Sequence, residues 1–138
     1  MAEDICDVFN AAGERTGRTV VRGTPLQPGE YYLAVQVWLR NEPGEYLIQQ
    51  RAPHLLSGPG IWATTAGYVL AGEASLTGAI REVREELGLG LNPDAFRAFD
   101  RCTTDNLLQD IWIADVASTQ MGDPKPGIEV SGWKWATT

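Results

Sequence analysis

The clearest periodic signal in the chain lies between Ser75 and Leu87, where Leu76, Ala79, Ile80, Val83 and Leu87 recur at spacings of three and four. On a helical wheel these five fall within a sector of roughly 100°, the apolar stripe of a core-facing helix. The spacing predicts a helix over 75–87, with Gly88 as its C-terminal stop. Elsewhere the pattern is that of strands. Tyr31 to Leu39 is rich in aromatic and β-branched residues and predicts a mostly buried strand. The turn Asn41-Glu42-Pro43-Gly44 leads into Tyr46 to Arg51, so these two runs are expected to pair as an antiparallel hairpin.

Upstream, Asp7 to Glu14 and Gly17 to Gly23 are extended pieces around Asn/Gly-rich turns and predict a leading hairpin within residues 5–23. Ile61 to Ala66 is expected to be extended and to deliver the chain to Gly67. Further strand candidates are Ala95 to Arg101, Leu107 to Ala114 and Gly132 to Trp135. Strands on both sides of one long helix imply a layered α/β or α+β fold. With 138 residues the chain can bury one hydrophobic core, so a single domain over 1–138 is expected.

Composition narrows the function. Eighteen acidic against eleven basic residues give a net charge of −7, which disfavours stable binding to nucleic-acid backbones and suits a binder of divalent cations. The start Met1-Ala2-Glu3-Asp4 carries acid where a secretory signal carries base, and no apolar run approaches a membrane span. A cytoplasmic protein with no membrane partner is therefore expected. Cys6 and Cys102 lack metal-ligand spacing and are expected to be reduced thiols. His54 is the one histidine, which excludes a multi-histidine metal site.

On the wheel of the 75–87 helix, Glu82, Glu85 and Glu86 occupy a second sector, apart from the apolar one. Like charges at these spacings cost a few tenths of a kcal/mol per pair, a penalty that a divalent cation would remove. Magnesium takes oxygen ligands, keeps several waters and bridges carboxylates to substrate phosphates. Taken alone, the same helix reads more readily as a solvated acidic face than as a metal site.

The flanking register decides between these readings. From Gly67 the chain runs five residues to Glu73, seven more to Arg81-Glu82, then Val83, Arg84, Glu85-Glu86, Leu87, Gly88 and Leu89. Every fixed position of the Nudix box is filled, a coincidence with odds on the order of one in ten million in a chain this short. The stretch resembles that of Nudix hydrolases, and Leu33 to Leu39, Gln50-Arg51, Pro59-Gly60-Ile61-Trp62 and Trp133-Lys134-Trp135 are similar to further elements of Nudix domains.

The resemblance implies an α/β/α sandwich around a mixed sheet, with one to three Mg2+ or Mn2+ ions held by box glutamates. By position, Glu82, Glu85 and Glu86 would be the metal ligands, and Glu73 and Arg81 would orient them. Gly67 would allow a close approach and Gly88 would end the helix. The implied reaction is attack of an activated water on a diphosphate linkage, in a nucleoside diphosphate linked to another moiety or a related small diphosphate. Glu85 or Glu86 would take the proton.

Glu129 would be a further metal ligand or base, or else a surface acid. Arg51 would touch phosphate or a box glutamate, or else be an ordinary strand-end cation. Trp38, Trp62, Trp112, Trp133 and Trp135 are expected in the core, with one of them free to stack on a base.

Two rival functions remain. The stretch Tyr31 to Ala74 also resembles type I isopentenyl-diphosphate isomerases, but the positions aligned with their catalytic cysteine and metal-binding histidines hold Ala66, Tyr68 and Tyr32. A non-catalytic Nudix sensor would be expected to lose box glutamates, and none is lost. Nudix domains generally follow the last strand with a second helix, whereas this sequence stops at Thr138. Either a truncation or a partner subunit covering that face, as in a homodimer, would account for the ending.

Overall fold

A computed structural model describes residues 4–56, 58–117 and 121–137. The chain runs β1 (Ile5–Phe9), β2 (Arg15–Val21), β3 (Tyr32–Arg40), β4 (Tyr46–Arg51), β5 (Trp62–Ala63), β6 (Thr65–Tyr68), α1 (Ser75–Leu87), a 3-10 turn (Pro93–Ala95), β7 (Phe96–Thr104), β8 (Leu107–Asp115) and β9 (Val130–Ala136). The fold is α+β, a mixed sheet with one long helix.

β3 is the central strand. It pairs in parallel with β8 from Tyr32↔Leu107 to Arg40↔Asp115, and antiparallel with β6 from Ala34↔Tyr68 to Val37↔Thr65. β7 closes the outer edge against β8. Leu33, Val35, Val37 and Leu39 point to the core, while Ala34, Gln36 and Trp38 are half-buried on the other face. The strand expected to be mostly buried is therefore two-faced, because no helix among the described residues covers its second side.

The expected β3–β4 hairpin holds at its turn, where Asn41 N–H donates to Glu45 O, and in register only at Arg40↔Tyr46. Beyond that β4 leaves β3 and pairs with β9 from Tyr46↔Ala136 to Arg51↔Val130, and with β5 at Gln49↔Ala63. The chain crosses between the two strand systems at Thr64, between β5 and β6.

Helix α1 packs against β6 and β3 through Ala79, Val83 and Leu87, all fully buried, with Leu76 and Ile80 partly covered. Its first turn has no side-chain cap, but Ser75 Oγ accepts a 3.0 Å bond from Trp112 Nε1 on β8. Gly88 ends it at φ 68, a left-handed position where a Cβ is strained, and its N–H donates to Arg84 O.

β1 and β2 form a separate antiparallel ribbon. It is docked by Phe9 N–H to Tyr31 O at 2.8 Å, by Ala71 N–H to Ile5 O at 2.8 Å, and by the burial of Cys6 and Val8. No helix among the described residues is long and apolar enough to cross a membrane.

Candidate active site

The residues between β6 and α1 carry the polar centre. Arg81 sits one and a half turns into α1 and points back over the loop from Leu70 to Ala74. Its Nε and Nη2 donate to the two oxygens of Glu73 at 2.8 and 3.0 Å, and Nη2 also donates to Tyr68 O at 2.9 Å. Nη1 donates to Glu82 Oε1 at 2.7 Å and to Glu85 Oε2 at 3.1 Å. The Glu73 side chain accepts in addition from Leu70 N–H, which shapes the loop ahead of the helix. Burial works against the Glu73 carboxylate, but the Arg81 and Leu70 bonds outweigh it and hold its pKa below the ordinary value. Arg81 is raised by the same bonds, first among them that to Glu73.

Glu82 and Glu86 are the strained members. Burial raises the pKa of Glu82; Arg81 pulls it down in part, and the charges of Glu85 and Glu129 push it up again. Glu86 is pushed up to about 8, by burial first and by the charge of Glu82 next, with Glu129 adding to it. Two bonds oppose the rise: Gln49 Nε2 donates to Glu86 Oε1 at 3.1 Å and Ala66 N–H to Oε2 at 3.2 Å. Glu85 is the open one, with a side chain 57% exposed.

These glutamates and Glu129 border one cleft of about 300 Å³, whose walls also include Tyr68, Leu70 and Ile128. Glu129 is brought there by a loop that seals the end of α1. Lys125 N–H donates to Leu87 O at 2.6 Å and Gly127 N–H to Glu86 O at 3.0 Å, so the last carbonyls of the helix are satisfied by this loop. The fit is close: a Cβ on Gly127 would lie 2.5 Å from Glu85 O, and one on Gly88 would lie 2.7 Å from Lys125 O.

Gly67 lies within β6, outside the left-handed region, so it is required for space. A Cβ there would fall 2.5 Å from Glu82 Oε2 and nearer still to Cδ. The close approach expected at this glycine is thus made by a carboxylate.

The donor set fits a hard divalent cation. It consists of carboxylate oxygens, two of them on buried groups whose ionised form lacks enough positive charge. Among the described residues no three His, Cys, Asp or Glu side chains are already gathered as a closed ligand group. That openness is compatible with Mg2+, which uses one or two carboxylates and fills its octahedron with waters and phosphate oxygens.

Other candidates lie elsewhere. Arg51, at the end of β4, has its side chain against Gly58 and is not among the residues lining the cleft. His54 is exposed on a loop, and both cysteines are free, Cys6 buried and Cys102 exposed. Trp112, Trp133 and Trp135 pack on the core. Trp62 departs from that expectation: it is 39% exposed, with Lys134 Nζ 4.6 Å from its ring centroid, because β5 is a two-residue edge.

Gln49 escaped sequence reasoning. It is 3% exposed, donates to Glu86 and accepts from Thr65 Oγ1 at 2.8 Å. Its signal was its parity with Leu47, which marks a polar side chain on the inward face of β4. Asp4 and Arg22, which also line the cleft, carried no such signal.

Comparison with known proteins bears on the family and the fold. The NUDIX domain model matches residues 30–138. Nudix hydrolase 3 of Arabidopsis thaliana is 43% identical over 98 residues, which make up 70% of this chain and 13% of that protein. An uncharacterized Nudix hydrolase of Listeria monocytogenes is 42% identical over 93 residues, 67% of this chain and 55% of the relative. The chain therefore spans less than two thirds of the length of either. The isopentenyl-diphosphate Delta-isomerase of Streptomyces coelicolor is 43% identical over 63 residues, 45% of this chain and 32% of the isomerase.

Among solved structures, DR0079 from Deinococcus radiodurans superposes with a TM-score of 0.77 at 24% identity, covering 97% of this chain and 83% of that one. The NUDIX domain of Shewanella oneidensis NrtR, in complex with ADP ribose, gives a TM-score of 0.62 at 16% identity, covering 77% and 72%. With the family model matching well over half of its residues and every fixed position of the box filled, the chain belongs to the Nudix family.

Proposed function

We propose that the protein is a pyrophosphohydrolase that cleaves a diphosphate linkage with Mg2+ or Mn2+ held by Glu82, Glu85 and Glu86, with Glu129 reaching in from the facing loop. The observation that carries the reading is a shortage of positive charge. Four glutamates converge on one cleft, and Arg81 already divides its donors among Glu73, Glu82, Glu85 and the Tyr68 carbonyl. A bound divalent cation would neutralise the charge that spreads over the phosphate oxygens during displacement.

The protein groups divide the remaining work. Glu73 and Arg81 hold Glu82 and Glu85 in place. Gln49 and Ala66 N–H fix both oxygens of Glu86. Glu85 or Glu86 accepts the proton of the attacking water, the bond from the attacked phosphorus to the bridging oxygen breaks, and the two halves leave as phosphomonoesters, one carrying the water's oxygen and the other the former bridge. The substrate class is a nucleoside diphosphate linked to another moiety. This is the chemistry of the ADP ribose held by the NrtR neighbour, and a cleft of about 300 Å³ with Tyr68, Leu70 and Ile128 on its walls admits a diphosphate with part of its organic group. Isomerase chemistry is disfavoured by Ala66, Tyr68 and Tyr32.

The test is a screen over ADP-ribose and other diphosphates with Mg2+, in which a phosphatase that attacks phosphomonoesters but not the intact diphosphate frees inorganic phosphate from the products for detection, run beside Glu85→Gln and Glu86→Gln. Turnover by the wild type with a loss of at least a hundredfold in one or both variants is expected. Equal turnover in all three would overturn the assignment.

A further inference from the structure

We propose that Arg22, at the exit of the β1–β2 ribbon, binds a phosphate oxygen of the diphosphate substrate from the ribbon side of the cleft. This rests on the hydrolase reading above and adds a residue from outside the matched family domain, which begins at residue 30.

Charge makes the first argument. Asp4, Glu82, Glu85, Glu86 and Glu129 all line the cleft, against two guanidinium groups, Arg22 and Arg81. A diphosphate is itself anionic and needs donors that carry positive charge. Arg81 has none to offer, since it makes five hydrogen bonds within the protein, to Glu73 twice, Glu82, Glu85 and Tyr68 O. A guanidinium has five N–H donors. Arg22 is half-exposed, and its ion pair among the described residues is a single 3.2 Å contact from Nη1 to Asp4 Oδ2. It thus keeps donors for a phosphate.

Position makes the second. The guanidinium of Arg22 lies 6.0 Å from the centroid of the Tyr68 ring. Tyr68 is in turn met edge-on by Tyr32 at 5.4 Å and 70°, and Tyr32 Oη donates to Thr24 O at 2.6 Å, two residues beyond Arg22. One aromatic pair therefore seats the side chain and pins the backbone that carries it. The ribbon is also tied down by Arg22 N–H to Asp4 O at 2.9 Å and by Gly72 N–H to Asp7 Oδ2 at 2.8 Å.

The bland account is that Arg22 and Asp4 merely close the end of the ribbon, and the two accounts part on Asp4. Breaking the pair at Asp4 removes the same contact but leaves Arg22 free for phosphate. The experiment titrates imidodiphosphate, whose bridge resists hydrolysis, into the full chain with Mg2+ by calorimetry, and measures KM and kcat for ADP-ribose.

Arg22→Ala is expected to raise the Kd of imidodiphosphate and the KM by about 10- to 100-fold, with kcat changing by less than KM. Arg22→Lys should recover most of the binding, and Asp4→Ala should bind as tightly as wild type or more tightly. Unchanged binding in Arg22→Ala, or weakening in Asp4→Ala to match it, would overturn the proposal. Imidodiphosphate binding that depends on Arg22 without turnover of any diphosphate would sink the hydrolase reading and leave the Arg22 contact standing.

Discussion

Replacing Gly67 with alanine separates the chemistry of this site from its stability. The backbone of Gly67 lies outside the left-handed region, so alanine fits the chain itself and lowers the entropy of the unfolded state, a gain of about 0.4–1 kcal/mol. The conflict is with Glu82. The new Cβ would stand 2.5 Å from Oε2, while ordinary contact begins at 3.4 Å, so the carboxylate must withdraw by 3.4 − 2.5 = 0.9 Å or more. It can do so, being the end of a flexible side chain, at the cost of its 2.7 Å bond from Arg81. A charge-assisted bond of this kind is worth about 1.5–3 kcal/mol, and Arg81 keeps its other partners.

Gly67→Ala should therefore lose about 0.5–2.6 kcal/mol, a Tm decrease of at most roughly 10 °C. A displacement near 1 Å at a reacting centre costs on the order of a hundredfold in rate, and a disturbed ligand costs about 10- to 100-fold in metal affinity. The assays are calorimetric melting and diphosphate hydrolysis as a function of Mg2+ concentration. Because the effect runs through one side chain, Gly67→Ala combined with Glu82→Gln should be little worse than Glu82→Gln alone. Hydrolysis by Gly67→Ala within threefold of wild type, or losses that multiply in the double variant, would refute the reasoning.

The pKa of Glu86, about 8 in the fold against an ordinary 4.5, makes the metal-free protein pH-sensitive. A carboxyl raised in the folded state stabilises it fully below 4.5 and loses that contribution as pH rises through about 8, so Tm without metal should fall across this window. The loss should be on the order of 3 kcal/mol after allowance for partial exposure; Glu86→Gln should flatten the melting profile, and Mg2+ should restore more stability at pH 8 than at pH 5. Gly127→Ala sets a Cβ against the Glu85 carbonyl, which as backbone cannot yield, so it should lower stability by about 1–3 kcal/mol in thermal melts and reduce hydrolysis by displacing Glu129. Gln49→Leu leaves the buried Thr65 hydroxyl without its acceptor and Glu86 Oε1 without its donor; a loss of about 1–3 kcal/mol by denaturant titration, with a larger drop in kcat than Thr65→Val causes, is expected.

Helix α1 could be read to the residue because its two faces are both periodic, one apolar and one acidic, and its end carries a glycine in the left-handed region. The outer strands were located but their partners were not. The Asn41–Gly44 turn announces a hairpin, yet β4 spends its length beside β9, whose paired residues come 79 to 90 positions later. A turn dictates how two strands start and says nothing about which edge a later segment will occupy. The loop that delivers Glu129 has no periodicity to detect, since it docks by its own backbone onto the helix end. Trp62 was expected inside on its residue type alone, and the shortness of β5 overrides that preference.

The division of labour on α1 explains why the scaffold tolerates changes of chemistry around it. Ala79, Val83 and Leu87 fasten the helix to the sheet, so the carboxylates beside them are positioned by core packing and can be as mutually repulsive as a cation requires. The walls facing that row come from β6, the ribbon and the Gly127–Glu129 loop, none of which contributes to the apolar stripe of the helix. Tyr68 pairs with Ala34, which puts Tyr32 diagonally across on the same face of β3. Val35 and Val37, both fully buried, lie on the opposite face of β3 from Tyr32. The packing that fastens the helix is thus separate from the cleft wall to which Tyr68 belongs, so the family model identifies the shared scaffold while the molecule bound is left to residues such as these.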